Sequence, residues 1–416
     1  MIGFSDLARR FGRITTGKSY VPQIDGLRFL SLMAILFFHA ALQGVRNSAD
    51  PAAGEHLLYT QLPAGYFAVQ LFFFISGYII SYPFLTNRPP SLSKFYKRRL
   101  LRLEPPYIVA MLGCFLILTQ YNPDPINAPN FAFTTAPLWQ SLVASLTYTH
   151  SLIFGEHPRL NPPTWTLELE IQFYLLAPFL LRAYLLVKRR DLRLYFGGAL
   201  CLALVILGHV INAAFDWENP IRHTLLADSY GFVLGILACD YFVAAQPFTQ
   251  TAQRRYDLCL AVGYIGLITT GMFEYNLSLP GAIVNTTVRA ICLLLVFIGA
   301  ARGPMGRAIL STPWITLIGG ATYSIYLVHL PLMHAAGHII APVLRPTSPA
   351  VAMAICWAVL IPFSIAGGMI FYACIEHPCM RPDWPRDLVQ ASKAWWVRWR
   401  SPPVADSSRP DMSSPA

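Results

Sequence analysis

Residues 24–42 read IDGLRFLSLMAILFFHAAL. Every side chain from Phe29 to Phe38 is apolar or small, yet Arg28 opens the run and His39 stands near its far end. A segment so suited to lipid carries a fixed cation and a titratable imidazole. Ionisable groups are expensive inside a bilayer and usually mark function. Each has a plainer alternative: Arg28 could snorkel to headgroups, and His39 could be a buried ring hydrogen-bonded to a neighbouring helix. The two are eleven positions apart, which at 100° per residue is 20° past three full turns. Both therefore leave the helix on one face, about 16 Å apart along its axis. Asp25, just upstream, reads as an N-cap.

Such apolar blocks recur along the chain. Of 416 residues, 55% are hydrophobic and only 12% charged, against about 25% charged in a soluble domain. Runs of roughly 18 or more apolar residues can cross a bilayer. Ten are found, at about 24–45, 65–86, 103–121, 167–187, 193–216, 223–245, 256–276, 280–301, 314–338 and 350–376. Helices satisfy their own backbone in lipid. The expected fold is thus all-α, a polytopic integral membrane protein of about ten transmembrane helices. A more polar stretch, 138–154, contains Gln140, Thr147, Thr149 and His150 and reads as re-entrant or interfacial.

The net charge of +10 raises nucleic acid as a partner, but its distribution argues otherwise. With ten spans and the N-terminus inside, 24 Lys and Arg fall on inside segments. They cluster at 9–18, 88–102, 188–193, 254–255, 302–307 and beyond 380. The outside loops hold only Arg46, Arg159, Arg222 and Arg345. This positive-inside bias places both termini in the cytoplasm, and the partner it implies is a lipid bilayer, not nucleic acid. The expected organisation is a basic cytoplasmic segment 1–23, a transmembrane domain 24–376 and a cytoplasmic tail 377–416. The tail carries KAWWVRWR (393–400), suited to headgroups, and a Ser/Pro-rich end that reads as disordered. Seven of eight cysteines lie within spans and Cys379 just past the last, so no disulfide is expected. Neither a CxxC nor an HExxH spacing occurs, so no metal is indicated.

From here the sequence resembles a family. IDGLRFLSLMAILFFH is similar to the Arg-x10-His signature of the membrane acyltransferase-3 family, integral-membrane O-acyltransferases that modify bacterial surface sugars. FFFISGYII (72–80) resembles its Phe-Phe-x-x-Ser-Gly pattern, and RRLLRLEPPY (98–107) its Arg-x-x-Arg motif, on Arg99 and Arg102. PTWTLELEIQFY (163–174) resembles Trp-Ser-Leu-x-x-Glu, with Thr166 where Ser is usual; YSIYLVHLP (323–331) and IEHP (375–378) match the closing pattern. The likeness runs in order from about residue 20 to 380.

The resemblance implies acyl transfer from cytoplasmic acetyl-CoA to a polysaccharide, or to its lipid-linked precursor, across the bacterial inner membrane. Arg28, Arg99 and Arg102 would meet the CoA phosphates, a task that suits guanidinium; the plain alternative for 87–102 is topology charge or anionic lipid. His39 would take the acceptor's proton or carry the acyl group itself, and the sequence leaves both open. Glu168 and Glu170 lie 200° apart on a helix, so one at most shares a site with His39. The family pattern selects Glu170 to orient the imidazole, as in hydrolytic triads. Glu168 reads as charge at a helix N-terminus. Trp165, Tyr174 and His329 are candidate acceptor contacts. Glu376 reads as the structural partner of a cytoplasmic arginine, and Ser76-Gly77 as a close helix crossing. Rival readings are acylation of a small hydrophobic acceptor such as a macrolide, a transporter, and a non-catalytic scaffold. A transporter often shows repeated halves, and no duplication is visible here.

Overall fold

The computed structural model describes residues 20–63, 65–121, 137–216, 219–243, 252–275, 277–381, 384–386, 390 and 396. Residues 1–19, and the tail stretch 393–400 apart from Trp396, lie outside them. The described residues form helices and no strand.

The opening stretch is one unbroken helix, α1 (Pro22–Arg46). Proline at its first turn needs no N–H partner there and presets φ. Helix α2 (Pro51–Gln61) follows, then α3 (Tyr66–Leu85) and α4 (Leu92–Tyr121). Short helices α5 (Leu138–Leu146) and α6 (His150–Phe154) precede α7 (Trp165–Tyr184) and α8 (Arg190–Ala214). Then come α9 (Tyr230–Phe242), α10 (Arg255–Met272), α11 (Leu279–Arg302), α12 (Pro304–Leu310) and α13 (Pro313–Gly320). The last long helices are α14 (Thr322–Leu344) and α15 (Pro349–Phe371), which continues through a π turn, Tyr372–Glu376, into α16 (His377–Cys379).

Among the described residues, seven helices are long and apolar enough to cross a membrane: α1, α3, α4, α8, α11, α14 and α15 with its extension. The protein is a polytopic all-α membrane protein. The other three expected runs are helical but differ from simple spans. Helix α7 carries Glu168, Glu170 and Arg182, α9 has only 13 residues, and α10 starts on Arg255 and Asp257. The run at 314–338 is two helices, because the chain turns at Ala321 after Gly319-Gly320. The stretch 138–154 does not span. It breaks at Tyr148, whose φ of 56° is left-handed, and Tyr107 of α4 donates to the Ser145 carbonyl (2.8 Å).

Helix α1 lies at the centre, packed against α3, α13, α14 and α15. Leu27, Leu32, Leu36, Ala40 and Ala41 are fully buried there. Arg28 and His39 therefore belong to a helix surrounded by protein on most sides. Helices α3 and α9 cross at two facing glycines. A β-carbon on Gly77 would strike the Phe232 carbonyl, and one on Gly235 the Phe74 carbonyl. This is the close crossing expected at Ser76-Gly77.

Candidate active site

His39 is half-buried, and its imidazole meets a second one. His39 Nδ1 lies 2.8 Å from His329 Nε2 on α14. The rings are parallel within 4°, with centroids 5.0 Å apart. His329 is fully buried, and its Nδ1 lies 2.7 Å from the Tyr326 carbonyl in the preceding turn. One turn further along α1 the pairing repeats: Gln43 Nε2 lies 2.9 Å from His334 Nε2, and His334 Nδ1 2.9 Å from the Leu330 carbonyl. His329 and His334 of α14 thus each turn one nitrogen to their own backbone and the other to α1.

Glu170 does not orient His39. Its Oε1 accepts from Ser76 (2.6 Å) and from Tyr174, one turn along α7. The reason is the face of α7 on which it stands. Thr166, Glu170 and Tyr174 are spaced by four and line one side of the helix. At the outer end of that side, the Thr166 and Tyr326 hydroxyls are 2.8 Å apart, and Tyr326 donates to the Pro163 carbonyl (2.7 Å). The Tyr326 ring stands 5.5 Å from His329. At the other end, the Arg99 guanidinium lies 5.0 Å from the Tyr174 ring. One face of α7 therefore leads from the histidine pair to Arg99.

The three expected phosphate-binding arginines separate. Arg99 covers the Phe95 ring at 3.6 Å, and no ion pair holds it among the described residues. Arg102, one turn on, lies 3.6 Å from Glu376, which is fully buried and accepts from the Ser324 N–H (3.1 Å) and hydroxyl (2.7 Å). This gives Glu376 the structural arginine partner expected for it, and gives Arg102 a structural tie. Arg28 donates to Asp25 (2.5 Å). Asp25 is no N-cap, because the helix begins three residues earlier, at Pro22.

Glu168 is nearly fully buried, and its two oxygens accept from the His150 N–H (3.0 Å) and Ser151 N–H (2.9 Å). It stands in the first turn of its own helix, as expected, and also holds down the start of α6. Trp165 stacks on His157, ring centroids 5.5 Å apart and planes within 4°. Burial, then the nearby His223 and His150, pushes His157 down to about 3. That ring is neutral at pH 7, so the stacked pair forms an uncharged aromatic surface.

Three further charged groups at or within the apolar runs have partners. Asp228 accepts from Tyr66 (2.6 Å) and Gln70; Arg289 donates to Glu274 and to the Thr270 carbonyl (3.0 Å); Arg222 donates to Asn212 (3.0 Å). Beside the turn of α1 before His39 lies an apolar cleft of about 200 Å³, walled by Met33, Phe37, Phe38, Phe67, Tyr264 and Trp357. No group of three His, Cys, Asp or Glu side chains that could hold a metal is found among the described residues.

A many-helix membrane bundle with an imidazole pair inside it and a polar face leading to an arginine defines a membrane-embedded site with acid–base capacity. The chain belongs to the acyltransferase family whose description is "Acyltransferase domain", which matches residues 21–372. It is similar to the peptidoglycan O-acetyltransferase OatA of Listeria monocytogenes, 24% identical over 349 residues, covering 80% of this chain and 52% of that one. It is also similar to nodulation protein 10 of Rhizobium leguminosarum bv. viciae, 26% identical over 356 residues, covering 81% of this chain and 91% of that one. The chain spans about half the length of the first curated relatives it matches. No solved structure matches it.

Proposed function

We propose that this protein transfers an acyl group, acetyl in the simplest case, from acetyl-CoA at the cytoplasmic face of the bacterial inner membrane. The acceptor is a hydroxyl of a cell-envelope or exported polysaccharide, or of its lipid-linked precursor. His39 either takes the hydroxyl proton as the oxygen attacks the thioester carbonyl or carries the acyl group in transit. Arg99 contacts the donor's phosphates, and Trp165 with His157 offers the acceptor sugar a stacking surface. Both termini are cytoplasmic in this scheme, as the positive-inside bias requires.

The observation that carries the reading is the face of α7. Thr166 meets Tyr326 beside the histidine pair, while Tyr174 meets Arg99 at the basic end of α4. A donor held by Arg99 and an acceptor near His39 would then share one polar path through the bundle. The family membership and the peptidoglycan O-acetyltransferase relative support hydroxyl acylation. The test is to delete the gene and compare surface glycans by mass and NMR. The expected result is the loss of one O-acyl substituent, restored by the intact gene. Unaltered glycan acylation would contradict the polysaccharide acceptor.

A further inference from the structure

We propose that His329 is a positioning residue that fixes the tautomer of His39, leaving Nε2 of His39 as the reacting nitrogen. The inference rests on the acyl-transfer reading and assigns its reacting atom.

The argument is one of donors and acceptors. A backbone carbonyl can only accept, so the 2.7 Å contact from His329 Nδ1 to the Tyr326 oxygen requires the proton on Nδ1. In a neutral imidazole the other nitrogen is then a lone pair. His329 Nε2 therefore accepts, and His39 Nδ1, 2.8 Å away, donates to it. His39 Nε2 is left unprotonated. A charged His329 would have to donate to His39 instead, which places an imidazolium fully buried in the bundle with no carboxylate bonded to it; that arrangement is the costlier one. The Gln43–His334 rung obeys the same rule independently. His334 Nδ1 donates to the Leu330 carbonyl, so its Nε2 accepts from the Gln43 amide. Two histidines of one helix, five residues apart, use the same backbone bond to set the same tautomer.

The chemistry follows from the tautomer. Nε2 of His39 removes the acceptor's hydroxyl proton as the oxygen bonds to the thioester carbon. The carbon–sulfur bond breaks, and the departing CoA thiolate takes the proton back from Nε2. If His39 carries the acyl group instead, Nε2 bonds the thioester carbon as the carbon–sulfur bond breaks and CoA leaves as thiolate; the acceptor oxygen then displaces Nε2 from that carbon and its proton passes to the thiolate. In both routes Nδ1–H stays on His329, which keeps the ring from turning. A neutral imidazole here fills the orienting position that a carboxylate fills in hydrolytic triads.

Two variants and one spectroscopic measurement test this. In His329→Leu the acceptor of the Nδ1 proton is gone. We expect kcat to fall on the order of 100-fold or more, with KM for acetyl-CoA little changed. In His329→Gln the side-chain oxygen can accept the same proton, and kcat should stay within about tenfold of wild type. Equal losses in both variants, or wild-type kcat in His329→Leu, would overturn the assignment. Should either variant fail to accumulate, nitrogen-15 NMR of the wild-type protein decides. The His39 signals, identified by their loss in His39→Ala, should show protonated Nδ1 and bare Nε2; the opposite tautomer overturns the proposal. Wild-type turnover by His39→Ala would instead remove His39, and with it His329, from the reaction, whereas no acyl transfer by the wild-type protein would sink the acyl-transfer reading itself.

Discussion

Arg99 and Arg102 of the RRLLR stretch meet different partners, although the sequence presents them as a pair. Three residues on a helix is 300°, so Arg99 and Arg102 point about 60° apart. That is enough to send one toward Tyr174 and the other to Glu376. Arg99→Ala is therefore expected to raise KM for acetyl-CoA by about tenfold, the worth of one charge-assisted contact, with little change in protein yield. Arg102→Ala leaves the buried Glu376 without its cation. It should cost about 1–3 kcal/mol and lower the thermal midpoint of the solubilised protein. Steady-state kinetics and a melting curve on the same two variants separate the roles; matching behaviour would return both to one function. At this scale the sequence was most legible where chemistry is local. The Arg28–His39 spacing, and the need of Glu376 for an arginine, were both readable. The partner of His39 was not, because it lies 290 residues away and only the packing of α1 on α14 brings them together.

Among the elements, α7 does more than periodicity suggested. Thr166, Glu170 and Tyr174 stand four residues apart on one face, and their partners come from α14, α3 and α4. Ser76 read as a small packing residue beside Gly77; it also donates to Glu170, which a single-helix view could not show. The broken helices were the hardest to read. The run 314–338 is apolar throughout the break at Ala321, so hydropathy passes over a turn that backbone geometry makes plain. Conversely, 138–154 was recognisable as something other than a span, since its polar residues interrupt the pattern. The crossing of α3 and α9 carries a prediction of its own. Gly77→Leu would drive a side chain into the Phe232 backbone, with an overpacking cost of about 1–3 kcal/mol or more. The variant should accumulate less in membranes and lose activity in proportion. Normal accumulation with a normal melting curve would show that the helices can part there.

For the whole molecule, composition dictated the class: too few charges for a soluble domain, and apolar runs long enough to span. It did not dictate how many of those runs cross: α7, α9 and α10 are helical but fall outside the seven described helices that are long and apolar enough to span. Elsewhere Arg289 pairs with Glu274, Arg102 with Glu376, and Asp228 accepts from Tyr66. They tie helices together in a medium that offers apolar helices little reason to associate. Within this frame the histidine pair joins the central helix to α14, whose Tyr326 meets the polar side of α7. The central claim is that acyl transfer to the acceptor requires His39. Membranes holding equal amounts of wild-type protein and His39→Ala, given acetyl-CoA labelled in the acetyl group, test it directly. The account predicts label in the glycan fraction with the wild type and background alone with the variant, whereas equal incorporation by the two would contradict it.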